Sequence, residues 1–530
     1  MTDIQPIGRL AARWLQEDRD LDSRREIEAL VAAKDEAELE RRLRKRIAFG
    51  TAGLRSSMKA GYAHMNSLTV LQASQGLADY ILAQRRGTAG YASVTIGFDA
   101  RHNSEKFARL AAGVFLAKGI RVLWFGILVH TPMIPFAVSH FSAAAGVMIT
   151  ASHNPKIDNG FKVYWANGCQ IIPPHDKGIA LAIDNVKDII EWSTSSVDHS
   201  SLVQQPISCI SSKRKPQPDP DFQTVPFPNP EEKGALALAC QEAQRNGSKI
   251  IVSNDPDADR FAAAECLQGG QWHQFTGNQM GILLASNVLE ASSVPRDKMV
   301  MLASTVSSRM LAAMARYEGF TFKETLTGFK WLGNVAQQTE KEGLIPVFAF
   351  EEAIGYMFPS VAWDKDGIAA ASVFLSARRK WHVEGVTAYQ KLQQLYQKYG
   401  YFEDANTYLI SPSFDVTQAT FAAVRTSNNG IIPTHVGKRR VERWRDLTLG
   451  YDTGTADRKP DLPVDPTAQM ITCELGDGVV FTARGSGTEP KIKLYIEATA
   501  GSSAEAKRLA NEVLGDLVRE WFAELKLAGL

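Results

Sequence analysis

From residue 93 onward, short apolar runs alternate with longer stretches whose apolar residues recur at helical spacing. Residues 93–99 (SVTIGFD) read as a buried strand ending on an acid. Residues 105–119 carry a helical period and close on a glycine suited to a C-cap. Strands follow at 120–126 and 146–150. The alternation resumes with a helix at 234–247 and a strand at 248–255. Strand, helix, strand, helix, strand then follow at 299–305, 307–319, 320–326, 329–343 and 345–352. Strands alternating with helices of this length predict βαβ units and parallel sheets. The C-terminal part differs. Residues 479–498 read as two strands joined by a glycine-containing loop, and 503–525 as a closing amphipathic helix.

Before this core, residues 1–20 form an amphipathic helix in pattern, 21–48 are charge-dense and helical, and a helix is expected over 69–84. Residues 193–230 are rich in Ser, Pro and Gln and read as a linker; 425–470 are irregular and polar and read as a connection. The predicted fold class is therefore α/β, with three sequential α/β domains of mixed or parallel sheets and a C-terminal α+β domain. The expected boundaries are 1–205, 206–297, 298–430 and 431–530.

A chain of 530 residues calls for about three to five domains. Its formal net charge of +1 predicts no bulk attraction to nucleic acid or an acidic membrane, so anionic ligands need local sites. No apolar run reaches the ~18 residues of a membrane span, and the N-terminus lacks the pattern of a signal peptide. Five cysteines without paired spacing make disulfides or zinc unexpected and point to a reducing, cytoplasmic setting.

Four constellations carry candidate chemistry. Thr150-Ala151-Ser152-His153-Asn154-Pro155 follows a strand, where open α/β sheets present ligands, and Asn-Pro forces the turn that exposes the serine hydroxyl. Asp255, Asp257 and Asp259 place three carboxylates at alternate positions after another strand, followed by Arg260; oxygen donors of this kind suit Mg²⁺. Arg484-Gly485-Ser486-Gly487-Thr488-Glu489-Pro490-Lys491 combines free backbone N–H groups, hydroxyls and positive charge in an apparent phosphate cradle. Glu351 and Glu352 end a strand and can accept hydrogen bonds from sugar hydroxyls, with Thr327-Gly328 and Asp364-Lys365-Asp366-Gly367 as nearby candidate loops. Taken singly, each also fits an ordinary turn or hairpin.

The four together, in this order and one per block, resemble the α-D-phosphohexomutase superfamily over nearly the whole chain. TASHNP, NDPDADR, LTGFKWLGN, FEEAIGY and RGSGTEPK, with FGTAGLR at 49–55 and NGFKVY at 159–164, look most similar to its phosphopentomutase-like branch. The resemblance implies a phosphosugar mutase in which Ser152 carries the phosphoryl group, passes it to the sugar to give a bisphosphate, and receives the other phosphate back. It implies Mg²⁺ held by Asp255, Asp257, Asp259 and an oxygen on Ser152, with Arg260 offsetting charge. Lys162 matches a candidate general base in a crowded cationic site, near Arg55 and His153. Thr327, Gly328, Glu351 and Glu352 match sugar contacts; Arg484, Ser486, Gly487 and Thr488 match the grip on the distal phosphate, aided by Lys365 and Lys491. A sugar 1,6-bisphosphate, or pentose 1,5-bisphosphate, is implied as activator, and the partner is a small phosphosugar bound by a monomer. Ribose, deoxyribose and glucose phosphates are all admitted. A glucose 1,6-bisphosphate synthase and a non-catalytic sugar-phosphate-binding protein are the alternatives.

Two departures from the family pattern stand out. The serine and imidazole of the usual sugar loop are absent, since Ala353-Ile354-Gly355-Tyr356 follows Glu352. Roughly a βαβ unit is also missing between the serine and metal blocks, which predicts that the strand before Asp255 lies at or near a sheet edge.

Overall fold

The computed structural model describes residues 5–50, 53–86, 90–206, 218–428, 430–487 and 490–527, with side chains to 525. The chain divides into two compact units. One comprises Met1–Met280, Gly328–Glu342 and Pro346–Ala377, the other Gly281–Thr327, Gly343–Ile345 and Arg378–Leu530.

In the first unit, three N-terminal helices, Ile7–Glu17, Leu21–Ala32 and Glu36–Leu43, pack around Trp14, Ile27 and Leu39. Beyond them lies a six-stranded mixed sheet in the order Leu54–Ser57, Asp158–Trp165, Ala145–Ile149, Ser93–Phe98, Arg121–Leu128, Val203–Gln204. Its central strands run parallel, with Val94 facing Val122 and Ala145 as the α/β pattern requires. Helices Ser67–Gln84 and Ser104–Ala117 bury apolar faces in the core formed with Val94, Ile96 and Val147.

The stretch read as a linker is not merely that: Val203–Gln204 extends the serine sheet parallel to Arg121–Leu128. After it, strands Ile250–Asn254, Phe261–Cys266 and Trp272–Gln274 form a three-stranded sheet that is antiparallel throughout. Ile250–Asn254 is its edge strand, with Val252 41% exposed. The neighbouring helix Ala237–Arg245 buries only Ala243 and leaves Leu238 50% exposed. The α/β class holds, but this block is thinner than the serine block. The first unit also contains the antiparallel pairing of Ala349–Glu351 with Gly355–Met357 and helix Phe329–Lys341.

In the second unit, Met299–Ser304 and Thr321–Thr325 pair in parallel. The C-terminal sheet is antiparallel around Met470–Leu475, Val479–Gly485 and Lys491–Ala500, covered by helix Ser503–Glu520. Residues 425–470, expected to be irregular, contain the eight-residue strand Arg439–Asp446. Its polar sequence hid it. Arg439 and Arg445 are buried because Glu512 and Asp516 pair with the first and Glu324 with the second.

Candidate functional site

Strand Ala145–Ile149 ends beside the loop that carries Ser152, which is 2% exposed and takes a left-handed backbone with φ of +54°. Its N–H donates to Thr150 Oγ1 at 2.9 Å. Its Oγ donates to Asp255 Oδ2 at 2.8 Å and lies 3.2 Å from His153 Nδ1. Burial first, then the nearby Arg260 and Arg55, hold His153 far below the usual imidazole range, so the ring is neutral. Arg55 projects from strand Leu54–Ser57 at the exposed margin and donates to Asn154 Oδ1 at 3.3 Å.

The strand Ile250–Asn254 delivers the acidic loop. Asp255, Asp257 and Asp259 are buried, and their carboxylates approach within 4.8 Å of one another. Lys162, on Asp158–Trp165, donates to Asp257 Oδ2 at 2.5 Å and Asp259 Oδ2 at 2.7 Å. Lys365 reaches Asp259 Oδ2 at 2.8 Å. Burial raises all three carboxyls. Asp255 stays well above the usual range, with Asp257 and Asp259 adding repulsion. At Asp257 burial is opposed by Lys162, Thr131 and Lys365 together, and at Asp259 burial and Asp257 are opposed by Lys162, Lys365 and Arg260, so both carboxyls end low.

The lysines occupy the Oδ2 atoms. Asp257 Oδ1 and Asp259 Oδ1 are buried without a hydrogen-bond partner, an arrangement that is costly in a folded protein. Two orphaned carboxylate oxygens beside Asp255 and the Ser152 hydroxyl fit a small oxygen-loving divalent cation. This is the one such cluster among the described residues. Lys162 shares Asp259 Oδ2 with Lys365, and Arg260 and Arg55 act on the neighbouring His153, so cations crowd the site around the two carboxylates that accept from Lys162.

Arg260 donates its backbone N–H to Asp255 Oδ1 at 3.1 Å, and its side chain lies 4.0 Å from Asp255 Oδ2. Glu351 Oε1 accepts from Gly328 N at 2.5 Å. Burial, then the adjacent Glu352, push Glu351 up to about 7 against the pull of Gly328 and Lys365. Close backbone packing fixes these loops: a Cβ on Gly277 would lie 1.7 Å from Glu352 O, and one on Gly367 2.2 Å from Arg260 O. Tyr356, where the family imidazole would stand, is buried, with its hydroxyl directed to Gly277 O at 3.3 Å. The serine loop, the acidic loop and the turn after Glu352 each hold one non-glycine residue at positive φ: Ser152, Ala258 (+50°) and Ile354 (+52°). For branched Ile354 this is an outlier of the kind that clusters at working sites.

The first unit thus brings together Ser152, His153, Lys162, Arg55, the three aspartates, Arg260, Gly328, Glu351, Glu352 and Lys365. Thr327, Arg484, Ser486, Gly487 and Lys491 belong to the second unit. Thr327 Oγ1 is buried without a hydrogen-bond partner. Arg484 is the next-to-last residue of strand Val479–Gly485 and half-buried, Ser486 N donates to Lys491 O at 2.8 Å, and Lys491 Nζ sits 4.8 Å from the Tyr408 ring. Gly487 is exposed, and Thr488 lies outside the described residues.

Sequence reasoning missed Thr131, whose Oγ1 donates to Asp257 Oδ2 at 2.5 Å and whose N–H donates to Asp257 O at 2.8 Å. It also missed Arg101. Both follow the carboxyl ends of parallel strands, and that position was the available signal.

Models described as phosphoglucomutase/phosphomannomutase match in four parts: alpha/beta/alpha domain I at 46–189, II at 200–267, III at 276–399, and the C-terminal domain at 453–515. The chain belongs to the phosphoglucomutase/phosphomannomutase family. Within it, the chain is 42% identical to a "Probable phosphoribomutase" of Schizosaccharomyces pombe, over 97% of each chain. It is 41% identical to "Phosphoribomutase" of Saccharomyces cerevisiae, over 96% of this chain and 95% of that one. A human "Glucose 1,6-bisphosphate synthase" is 35% identical over 96% and 92%. These alignments run over 573, 595 and 578 positions, more than the 530 residues here, so each relative carries segments this chain lacks. The fold of a putative phosphomannomutase from Thermus thermophilus is similar, with TM-score 0.63 and 18% identity, over 90% of this chain and 99% of that one. Phosphohexomutase architecture in four parts is thereby shown. Among the described residues no helix is long and apolar enough to cross a membrane, and Cys169, Cys240, Cys266 and Cys473 are free.

Proposed function

We propose that this family member is a phosphosugar mutase of phosphopentomutase type, interconverting the 1- and 5-phosphates of ribose and deoxyribose. The observation that carries the reading is the Ser152 hydroxyl bonded to Asp255 beside two orphaned carboxylate oxygens.

In this reading Ser152 Oγ holds the phosphoryl group. Its P–O bond breaks as the bond to a sugar hydroxyl forms, and the bisphosphate turns and returns its other phosphate to Ser152. His153, with Nδ1 3.2 Å from Oγ, orients the serine hydroxyl, and the serine proton passes in that return step to Asp255 Oδ2, to which Oγ donates at 2.8 Å. Lys162 is the candidate for the sugar hydroxyl's proton, and Arg260 and Arg55 offset phosphoryl charge. Asp255, Asp257, Asp259 and an oxygen on Ser152 would hold Mg²⁺, which when bound supplies Lewis-acid charge to the transferring group. Glu351 and Glu352, with Gly328 and Thr327, meet the sugar. Lys365 helps bind phosphate, and Arg484, Ser486, Gly487, Thr488 and Lys491 grip the distal phosphate. A sugar bisphosphate primes the serine, and the enzyme works as a cytoplasmic monomer divided at the boundaries given above.

Pentose use is favoured by the sugar loop. Ala353 and Ile354 offer no side-chain polar groups, and the Tyr356 hydroxyl is spent on Gly277, so the hexose contacts of other branches are missing. The relatives named phosphoribomutase at 41–42% identity point the same way. Glucose 1,6-bisphosphate synthase is the second reading, favoured by the relative of that name. A coupled assay separates them. Ribose 1-phosphate should give the higher kcat/KM against glucose 1-phosphate, with turnover dependent on catalytic bisphosphate. Bisphosphate accumulation from glucose 1-phosphate and a high-energy donor, without mutase turnover, would favour the synthase.

A further inference from the structure

Behind Ser152, a single guanidinium gathers the backbone of the serine loop. Arg101 Nη2 donates to the carbonyls of Ser152 and, at 2.7 Å, Asn154. Its Nη1 donates to Pro155 O at 2.9 Å and Asp158 O at 3.4 Å. Its Nε faces Asp99 Oδ2 at 3.2 Å, and both side chains are 1% exposed. Asp99 Oδ1 accepts from Ser104 Oγ at 2.6 Å and from Arg101's own N–H at 3.1 Å. The Phe222 ring covers the guanidinium, 5.0 Å from its carbon, while Asp221 Oδ1 lies 3.1 Å from both His102 Nε2 and Lys156 Nζ. This stretch from the composition-defined linker therefore packs on the serine block.

An arginine presents five donors in a rigid plane; here the four on Nη1 and Nη2 bond carbonyl oxygens, while Nε faces Asp99 as an ion pair. Four of those oxygens are carbonyls of residues 152–158, the segment in which Ser152 is held left-handed. A non-glycine residue in that conformation persists only where its surroundings over-determine it. We propose that Arg101 is a positioning residue for phosphoryl transfer: clamped between Asp99 and Phe222, it fixes the serine loop so that Ser152 Oγ meets the acidic loop. The proposal rests on the mutase reading for its consequence in rate, but not for its consequence in loop order. Lysine can replace the charge toward Asp99 but cannot span four carbonyls.

The test is Arg101→Lys, compared with wild type by thermal melting, amide hydrogen exchange and steady-state kinetics. The expected result is a folded protein with faster exchange at the amides of 152–158 and intact protection in Ser93–Phe98 and Ala145–Ile149. Its kcat falls ~100-fold, the scale of a 1 Å misplacement, while KM stays within about threefold. Unchanged loop exchange and kcat overturn the proposal. So does loss of protection across the whole serine sheet, which would make Arg101 a general stability residue. Phe222→Leu, which leaves the Asp99 pair in place, should show the same loop-confined effect more weakly; no change in loop exchange removes Phe222 from the clamp. If wild type itself lacks mutase turnover, the functional reading falls, while loop exchange still decides Arg101.

Discussion

Ser152 Oγ and Asp255 Oδ2, 103 residues apart in sequence, lie 2.8 Å from each other in the first unit. That bond joins the turn after one strand of the serine sheet to the turn after the edge strand of the next block. In the proposed mutase neither loop is complete alone: the serine would supply the reactive hydroxyl, and the aspartates the charge to hold a cation against it.

Cation binding should be visible as stability. Asp257 Oδ1 and Asp259 Oδ1 have no protein partner, so Mg²⁺ at ~100 times its Kd would add about 2.7 kcal/mol, which is a Tm shift of several degrees. Chelator should lower the wild-type Tm and leave that of Asp257→Asn unmoved. Asp257→Ala should lose kcat far more than it changes sugar KM. Full activity of that variant in chelator removes the metal from the account.

Glu351 predicts a pH dependence of stability. Its folded value of about 7 exceeds the ordinary 4.5, so between those pH values the folded protein holds a proton that the unfolded chain has released. Stability contributed by this group therefore declines as pH rises from about 4.5 to 7, and the full penalty applies above 7. The difference in Tm between Glu351→Gln and wild type should grow in the variant's favour across that window. A difference constant with pH would show that the carboxyl does not titrate there.

The site was legible where chemistry follows the ends of strands. TASHNP, NDPDADR and FEEAIGY place Ser152, Asp255 and Glu351 at strand ends, and their charge or turn chemistry marks them. Arg101 and Thr131 escaped notice because their partners are backbone carbonyls or a carboxylate more than a hundred residues away. The strand Arg439–Asp446 was invisible for a related reason. Six charged residues in eight look like a solvated loop until distant acids neutralise Arg439 and Arg445. The packing of Phe222 on Arg101 likewise defeats a reading of residues 193–230 by composition.

The metal block should be the weaker part of the first unit. Its sheet has three strands with Ile250–Asn254 at the edge, against six strands in the serine block. Amides at 230–275 should exchange faster than those at 94–165 in the native protein. Equal protection in the two regions would show that the short block is as well held as the long one.

Arg484→Lys keeps the charge but loses the planar fork, so the proposed distal-phosphate grip predicts a roughly 10-fold higher KM for the phosphosugar. If Arg484→Ala leaves KM unchanged, the phosphate is held elsewhere.

The most direct test of the account is the phosphorylation state of Ser152. Intact-mass analysis after incubation with sugar bisphosphate and Mg²⁺ should show one added phosphate on the wild-type protein. Ser152→Ala should show none and have no mutase turnover. Retention of that phosphate in Ser152→Ala, or wild-type turnover with Ser152 never phosphorylated, would contradict a phosphoryl relay through this residue.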